Sequence, residues 1–269
     1  MIKFKKKAVV SVLVAGLTLG NTAQAGLLYN ITGLGTLAGY DASYPFGINA
    51  SGQVTGFSST NNGINSAFVT DFSGHMVGLG TLGGNYSRGF GINASGQVTG
   101  EANTSDGIRH AFVTDSNGKM IILGSLLGGG ESSGRGINDS GQVAGFSSST
   151  ANGNDHAFVS NSNRQMIDLG ILPGGTASFG LAINASGQVA GYANTGDSLS
   201  HAFVTNTSGQ MIDLGTLGGK YSSGYGINDS GQVTGVAIKA NGEDRAFVTD
   251  SSGQMIDLGT LPGGGSSEG

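Results

Sequence analysis

The 269-residue sequence has no cysteine, no tryptophan and only three prolines, and just 11% of its residues are charged. Lacking cysteine, it has no disulfides, thiolate metal sites, cysteine nucleophile or lipoprotein anchor. With so little proline and no Gly-X-Y period it is not collagen, and it lacks the high net charge that marks a disordered chain. Glycine, in contrast, is abundant at 52 residues. Each interior glycine costs a helix roughly 1 kcal/mol, which excludes a helical bundle. A β-rich architecture dense in turns is expected.

The first 25 residues read as a secretory signal peptide. Lys3, Lys5, Lys6 and Lys7 precede the apolar run from Ala8 to Leu17, and Ala23-Gln24-Ala25 supplies a small-x-small cleavage pattern after Ala25. The apolar run is shorter than the roughly 20 residues a membrane span needs, so no membrane insertion is expected after cleavage. Removing the leader lysines leaves eight basic residues against 17 acidic ones, a net charge of −9. The eight are scattered singly between Arg88 and Arg245. Nucleic acid requires clustered Lys and Arg and is not an expected partner.

Residues 26–269 are dominated by an internal repeat, and the sequence predicts that they form one repeat domain. Gly-Ile-Asn begins at Gly47, Gly91, Gly136 and Gly226, with Ala182-Ile183-Asn184 as a variant, at intervals of 44–46 residues. Each copy runs on through Ser-Gly-Gln-Val, a variable loop, Ala-Phe-Val and a closing Leu-Gly-x-Leu. In the last copy, Asn228-Asp229-Ser230-Gly231 and Asp250-Ser251-Ser252-Gly253 each sit between two short β-prone runs. Asn and Gly at these places are hairpin chemistry, so each copy reads as four short strands in meander order. Ala246-Phe247-Val248 is apolar on both faces, which requires a sheet covered on both sides.

A 44–46-residue period with four strands per copy predicts an all-β fold, a β-propeller of four-stranded blades. The competing β-solenoid is disfavoured by hairpins that double back within each copy. The closing element occurs six times, beginning at Leu34, Leu79, Leu123, Leu169, Leu214 and Leu258, against five openings. Five full copies plus an extra N-terminal strand around 29–37 are therefore expected. The chain stops at Gly269 where another Gly-Ile-Asn is due, and so reads as truncated at its C-terminus.

His110-Ala111-Phe112, His156-Ala157-Phe158 and His201-Ala202-Phe203, each followed by Leu-Gly-x-Leu, resemble the HAF repeat family of probable extracellular bacterial proteins. Asp213 and Leu214-Gly215-Thr216-Leu217-Gly218-Gly219 match that pattern, while Ser66 and Arg245 replace the His in two copies, and Gly78 and Ile122 replace the Asp. The resemblance implies export and a repeat fold. It supplies no catalytic residues.

The recurring His110, His156 and His201 would be held apart by radial symmetry, whereas a metal needs ligands within about 2.1 Å of one ion. Each reads as a strand cap. Asp168, Asp213 and Asp257 stand singly between apolar residues, without the oxygen ligands of a Ca site, and are expected to bond backbone groups at strand ends. The five Asn-x-Ser triplets fall in turns, and turn chemistry accounts for them. No metal or cofactor is expected. Binding is expected in the variable loops between second and third strands, at Asn62, Asp106, Asp155, Asp197 and Asp244. No nucleophile–base set stands out from the repeat background, so the expectation is a secreted, non-enzymatic scaffold for an extracellular protein or glycan partner. A carbohydrate-binding propeller, with Tyr86 and Tyr221 as sugar platforms, is the alternative, and a hydrolase a weaker one.

Overall fold

Residues 32–128, 130–148, 153–196 and 199–269 are described by the computed structural model. The expected leader and residues 29–31 lie outside them. Within them the hairpins foretold by the repeat recur five times. The first sheet contains β1 (Ala42–Ile48), β2 (Val54–Ser59), β3 (Asn65–Thr70) and β4 (Met76–Gly80). The second has β5 (Gly83–Ile92), β6 (Val98–Thr104), β7 (Arg109–Thr114) and β8 (Met120–Gly124). A 3-10 turn, Leu126–Gly128, leads to β9 (Ser132–Ile137), β10 (Val143–Ser148), β11 (Asp155–Ser160) and β12 (Met166–Asp168). The fourth sheet has β13 (Ser178–Ile183), β14 (Val189–Asn194), β15 (Ser200–Thr205) and β16 (Met211–Asp213). The fifth has β17 (Gly218–Ile227), β18 (Val233–Lys239), β19 (Asp244–Thr249) and β20 (Met255–Asp257). Within each sheet consecutive strands pair antiparallel. This meander is that of a propeller blade and excludes the solenoid.

No strand forms over residues 32–41, where part of the extra N-terminal strand was expected. In the other copies the closing strand pairs with the third strand of its own sheet, and residues 32–41 have no such partner among the described residues. They are nevertheless tied to the first blade, where the Leu37 amide donates to Ser58 Oγ (3.2 Å) and Ser43 Oγ donates to the Gly35 carbonyl (2.7 Å).

The core lies between blades, not within them. Ala67 of the first blade packs with Val98, Ala102 and Phe112 of the second. Ala111 and Val113 of the second join Val143 and Phe158 of the third, and the same pattern links the third to the fourth and the fourth to the fifth. Phe68, Phe112, Phe158, Phe203 and Phe247 are wholly buried. Burying such a ring contributes about 1.5–3 kcal/mol. Small residues also set the spacing within each sheet. A Cβ on Gly145 would stand 2.0 Å from the Ser133 carbonyl oxygen and 2.9 Å from the Phe158 ring.

Two hydrogen-bond devices repeat at every blade junction. A serine of each following inner strand accepts the amide of the preceding blade's Ala-Phe alanine: Ser87 from Ala67 (2.8 Å), Ser132 from Ala111 (2.8 Å), Ser178 from Ala157 (2.8 Å) and Ser222 from Ala202 (2.7 Å). Ser267 does the same for Ala246 (3.0 Å). Each of these serines also donates to a carbonyl of the preceding Leu-Gly element. The second device is an asparagine chain. Nδ2 of Asn49, Asn93, Asn138 and Asn184 donates to the carbonyl of the equivalent asparagine one blade on, at 3.0–3.2 Å.

The same asparagines build the turns, as the sequence implied. Asn93 Oδ1 accepts the Gln97 amide (2.9 Å), and Gly96 takes the positive φ (+81°) that closes the turn. The fifth blade differs on its outward face. Thr234 is exposed, whereas its counterparts Thr55, Thr99, Ala144 and Ala190 are fully buried.

Candidate functional site

Each inner strand carries a β-bulge at one fixed point, two residues before the Ile of Gly-Ile-Asn. The ladder skips from Pro45 to Gly47, Gly89 to Gly91, Gly134 to Gly136, Gly180 to Ala182 and Gly224 to Gly226. The skipped residues are Phe46, Phe90, Arg135, Leu181 and Tyr225, and a bulge frees such a side chain from the pleat and re-aims it. Beside them runs a second-strand row, Phe57, Glu101, Phe146, Tyr192 and Val236, which lies opposite Tyr44, Arg88, Ser133, Phe179 and Ser223.

The result is a belt of rings and guanidinium groups crossing from blade to blade. Phe46 touches Phe90 edge-on at 5.2 Å and stacks on Phe57 at 5.8 Å. The Arg88 guanidinium lies 4.4 Å over Phe57 and 5.0 Å over Tyr86. Arg135 lies 4.1 Å over Phe90 and 5.2 Å over Phe146. Phe179 continues the belt between Phe146 and Tyr192, and Tyr192 meets Tyr221 at 6.4 Å.

Glu101 is the charged member of the second-strand row, and it is 3% exposed. It accepts the Tyr86 hydroxyl at 2.7 Å and faces Arg109 at 3.8 Å, while Arg109 also pairs with Glu131. A buried carboxylate needs such partners to remain charged. Burial, then the hydrogen bond to Glu101, pushes the Tyr86 pKa up to about 12. Burial, then its hydrogen bond with Tyr221, does the same for Tyr225, also to about 12. Burial holds Arg135 below the ordinary arginine value, with the Glu101 charge opposing. Buried Nε of Arg88 and Arg135, Nδ1 of His110 and Oγ of Ser133 have no hydrogen-bond partner among the described residues.

The variable loops expected to bind lie at the end of the blades where the inner strands begin, since Ala42 pairs with Ser59 and Ser59 with Asn65. Asn62 is exposed at a loop tip. The Asp106 carboxylate accepts the Thr104 hydroxyl and the Ile108 amide (3.3 Å), bonds that hold its pKa below the ordinary carboxylate value. Asp155 and Asp244 are the first residues of β11 and β19, and Asp155 accepts the Ser148 hydroxyl at 3.1 Å. Asp197 lies outside the described residues. Asn62, Asp106, Asp155 and Asp244 share one end of the fold, each on its own blade.

The recurring His and Asp are partners of one another. His156 Nδ1 lies 3.0 Å from Asp168, and His201 Nδ1 lies 2.9 Å from Asp213. Each aspartate also accepts the amide two residues on, at 2.7 Å. In the fifth blade Arg245 replaces His, and Lys239 pairs with Asp257 at 3.1 Å. In the second, Ile122 replaces the aspartate, and His110 Nδ1 is left unpartnered. The constant spacing of 12 residues in 156/168 and 201/213 was the available signal for this pairing. Among the described residues no group of three or more His, Cys, Asp or Glu is placed to hold a metal, and no helix is long and apolar enough to cross a membrane.

At the opposite end, a cavity of about 370 Å³ opens between the first two blades beside Asp71 and Asp115. Both carboxylates already accept backbone amides of their own turns at 2.8–2.9 Å. It is a gap between hairpins. The belt, with unspent donors, is the candidate binding surface.

Fold and belt together define an all-β propeller with a chemically uneven belt on a repeating frame. Solved structures show the same architecture. TolB from Acinetobacter baumannii aligns with a TM-score of 0.55 at 12% identity, over 80% of this chain and 53% of that one. The putative TolB from Agrobacterium tumefaciens aligns with a TM-score of 0.53 at 12% identity, over 81% and 80%. A puromycin-hydrolyzing peptidase from Mycobacterium tuberculosis aligns at 0.57 and 11%, over 85% and 40%. The chain thus spans about half the length of the Acinetobacter protein. At these identities the likeness is one of fold. No family model and no curated protein matches the sequence.

Proposed function

We propose that the protein is a secreted, non-enzymatic interaction scaffold of the HAF repeat type, and that it binds its partner at the blade end bearing the belt and the variable loops. The supporting observation is a contrast within each copy. The turn residues hardly change from blade to blade, while the belt changes identity at almost every position. A propeller needs the first set to keep its blades in register, whereas no packing requirement calls for Arg88, Glu101 or Arg135 in rows that elsewhere hold Phe, Tyr, Leu, Val or Ser. Asn62, Asp106, Asp155, Asp197 and Asp244 would frame this face. The His–Asp pairs recur as equivalent braces in separate blades, which suits structure better than catalysis. Export rests on the leader sequence. It is tested by N-terminal sequencing of protein recovered from the periplasm and the medium: a start at Gly26 supports it, and retention of Met1 in the cytoplasm refutes it.

A carbohydrate partner is favoured over a protein one by the exposed rings. Tyr44, Phe46 and Tyr225 are each about half exposed, at 48%, 55% and 47%. Such rings offer flat faces to the C–H face of a sugar. A glycan array on the exported protein tests this, with Tyr86→Ala and Tyr221→Ala as variants. Selective binding lost in either variant supports the reading, and no selectivity on any glycan removes it.

A further inference from the structure

We propose that Arg88 and Arg135 form the carboxylate subsite for an acidic saccharide, a uronic acid unit whose ring lies along the belt. The proposal rests on the carbohydrate-binding reading of the same face. Both guanidinium groups sit over rings, Arg88 over Phe57 and Tyr86 and Arg135 over Phe90 and Phe146, at 4.1–5.2 Å. A guanidinium held on rings keeps its terminal Nη donors, and these fit a planar oxyanion held by two parallel hydrogen bonds. Neither arginine has an acceptor among the described residues, and the Nε of each is buried. Ser133, two residues before Arg135, 1% exposed and across the ladder from Phe146, has a hydroxyl without a partner as well. Donors buried without acceptors are costly, which makes an anionic ligand their natural complement.

The surroundings limit which anion. The whole chain carries a net charge of −5, so an extended polyanion is repelled beyond the immediate site. A single carboxylate next to an apolar sugar face meets both the local cations and the rings. Glu101 is already held by Tyr86 and Arg109 and so does not neutralise Arg88 or Arg135 by direct pairing.

The test is calorimetric titration of the exported protein with trigalacturonate, with its fully methyl-esterified form, with acetate alone and with tetraglutamate. The acid form is expected to bind at least about tenfold more tightly than the ester, the difference expected of one charge-assisted contact. Acetate alone and tetraglutamate should bind far more weakly. Arg135→Gln and Arg88→Gln should each weaken the acid form about tenfold or more and leave the ester unchanged, while Arg164→Gln, in an exposed turn, should change neither. Arg135→Lys keeps the charge and loses the fork. It should remain folded and still bind several-fold more weakly, which covers the case in which Arg135→Gln does not fold. Equal affinity for acid and ester would overturn the carboxylate subsite and leave the carbohydrate reading standing. Binding of neither overturns the carboxylate subsite and leaves the carbohydrate reading to the glycan array, and tighter binding of tetraglutamate would overturn the subsite in favour of an acidic peptide.

Discussion

The two ends of each blade differ in kind. At the turn end, the five copies use the same Asn, the same positive-φ Gly and the same Gln, and the asparagine side chain also reaches the next blade. At the loop end, the row running through Phe57, Glu101, Phe146, Tyr192 and Val236 changes its chemistry at most steps. One end is therefore under a geometric constraint shared by all blades. The other is free to differ, and what it displays is chemically uneven: rings at both margins and arginines around Glu101 between. In a repeat protein the departures from the repeat point to the site, because the frame already satisfies its own bonds.

The contrast can be broken most severely at its narrowest point. Gly145→Ala places a methyl group where the Ser133 carbonyl and the Phe158 ring already stand. It should destabilise the protein by about 3 kcal/mol, read as a lowered midpoint in urea unfolding. A change under ~1 kcal/mol would show that the strands of the third blade can shift there without penalty.

A smaller effect separates two equivalent asparagines. Asn138 is 6% exposed and donates to both Gln142 and the Asn184 carbonyl. Asn228 is exposed and donates to Gln232. Asn138→Ala should cost about 2 kcal/mol and Asn228→Ala about half of that or less, because only the first also gives up a bond to the next blade. Equal losses would mean that the bond between blades adds nothing to the turn.

The mildest change concerns the loop end alone. Tyr86 has its pKa raised to about 12 by burial and by Glu101, against about 10 for free tyrosine. Its neutral form is the one favoured by the fold. That contribution to stability is therefore fully present below pH 10 and fades as pH rises from about 10 to about 12. Glu101→Gln should move the last part of the tyrosinate absorbance titration to lower pH, although burial keeps it above the free value. An unchanged titration would remove Glu101 as a cause.

Much of the frame was legible from the residues. The 44–46 spacing, the Asn-x-Ser-Gly turns and the doubly apolar Ala-Phe-Val strands led directly to four-stranded blades packed face to face. The wholly buried Phe68, Phe112, Phe158, Phe203 and Phe247 fall where that alternation places them. The belt was not legible, for a physical reason. A bulge leaves no clear mark in a sequence already rich in glycine, so Phe46, Phe90 and Arg135 look like ordinary strand residues. Their convergence on Phe57, Tyr86 and Phe146 exists only once neighbouring blades are stacked. Glu101 could have been noticed as the charge in an otherwise apolar or aromatic row. The His–Asp pairing was hidden likewise, since it crosses between two strands whose register is set by the hairpin. Ser87 and its counterparts look like loop serines, and only the stacked blades show them clasping the previous blade.

The central claim is that the copies are stable because each one holds its neighbour. Ser178 belongs to the fourth blade, yet its hydroxyl accepts the amide of Ala157 in the third. Hydrogen exchange on Ser178→Ala, followed by mass spectrometry, tests this most directly. The expected result is faster exchange across 155–160, the preceding blade's third strand. Acceleration confined to the strand around residue 178, with 155–160 unchanged, would contradict it.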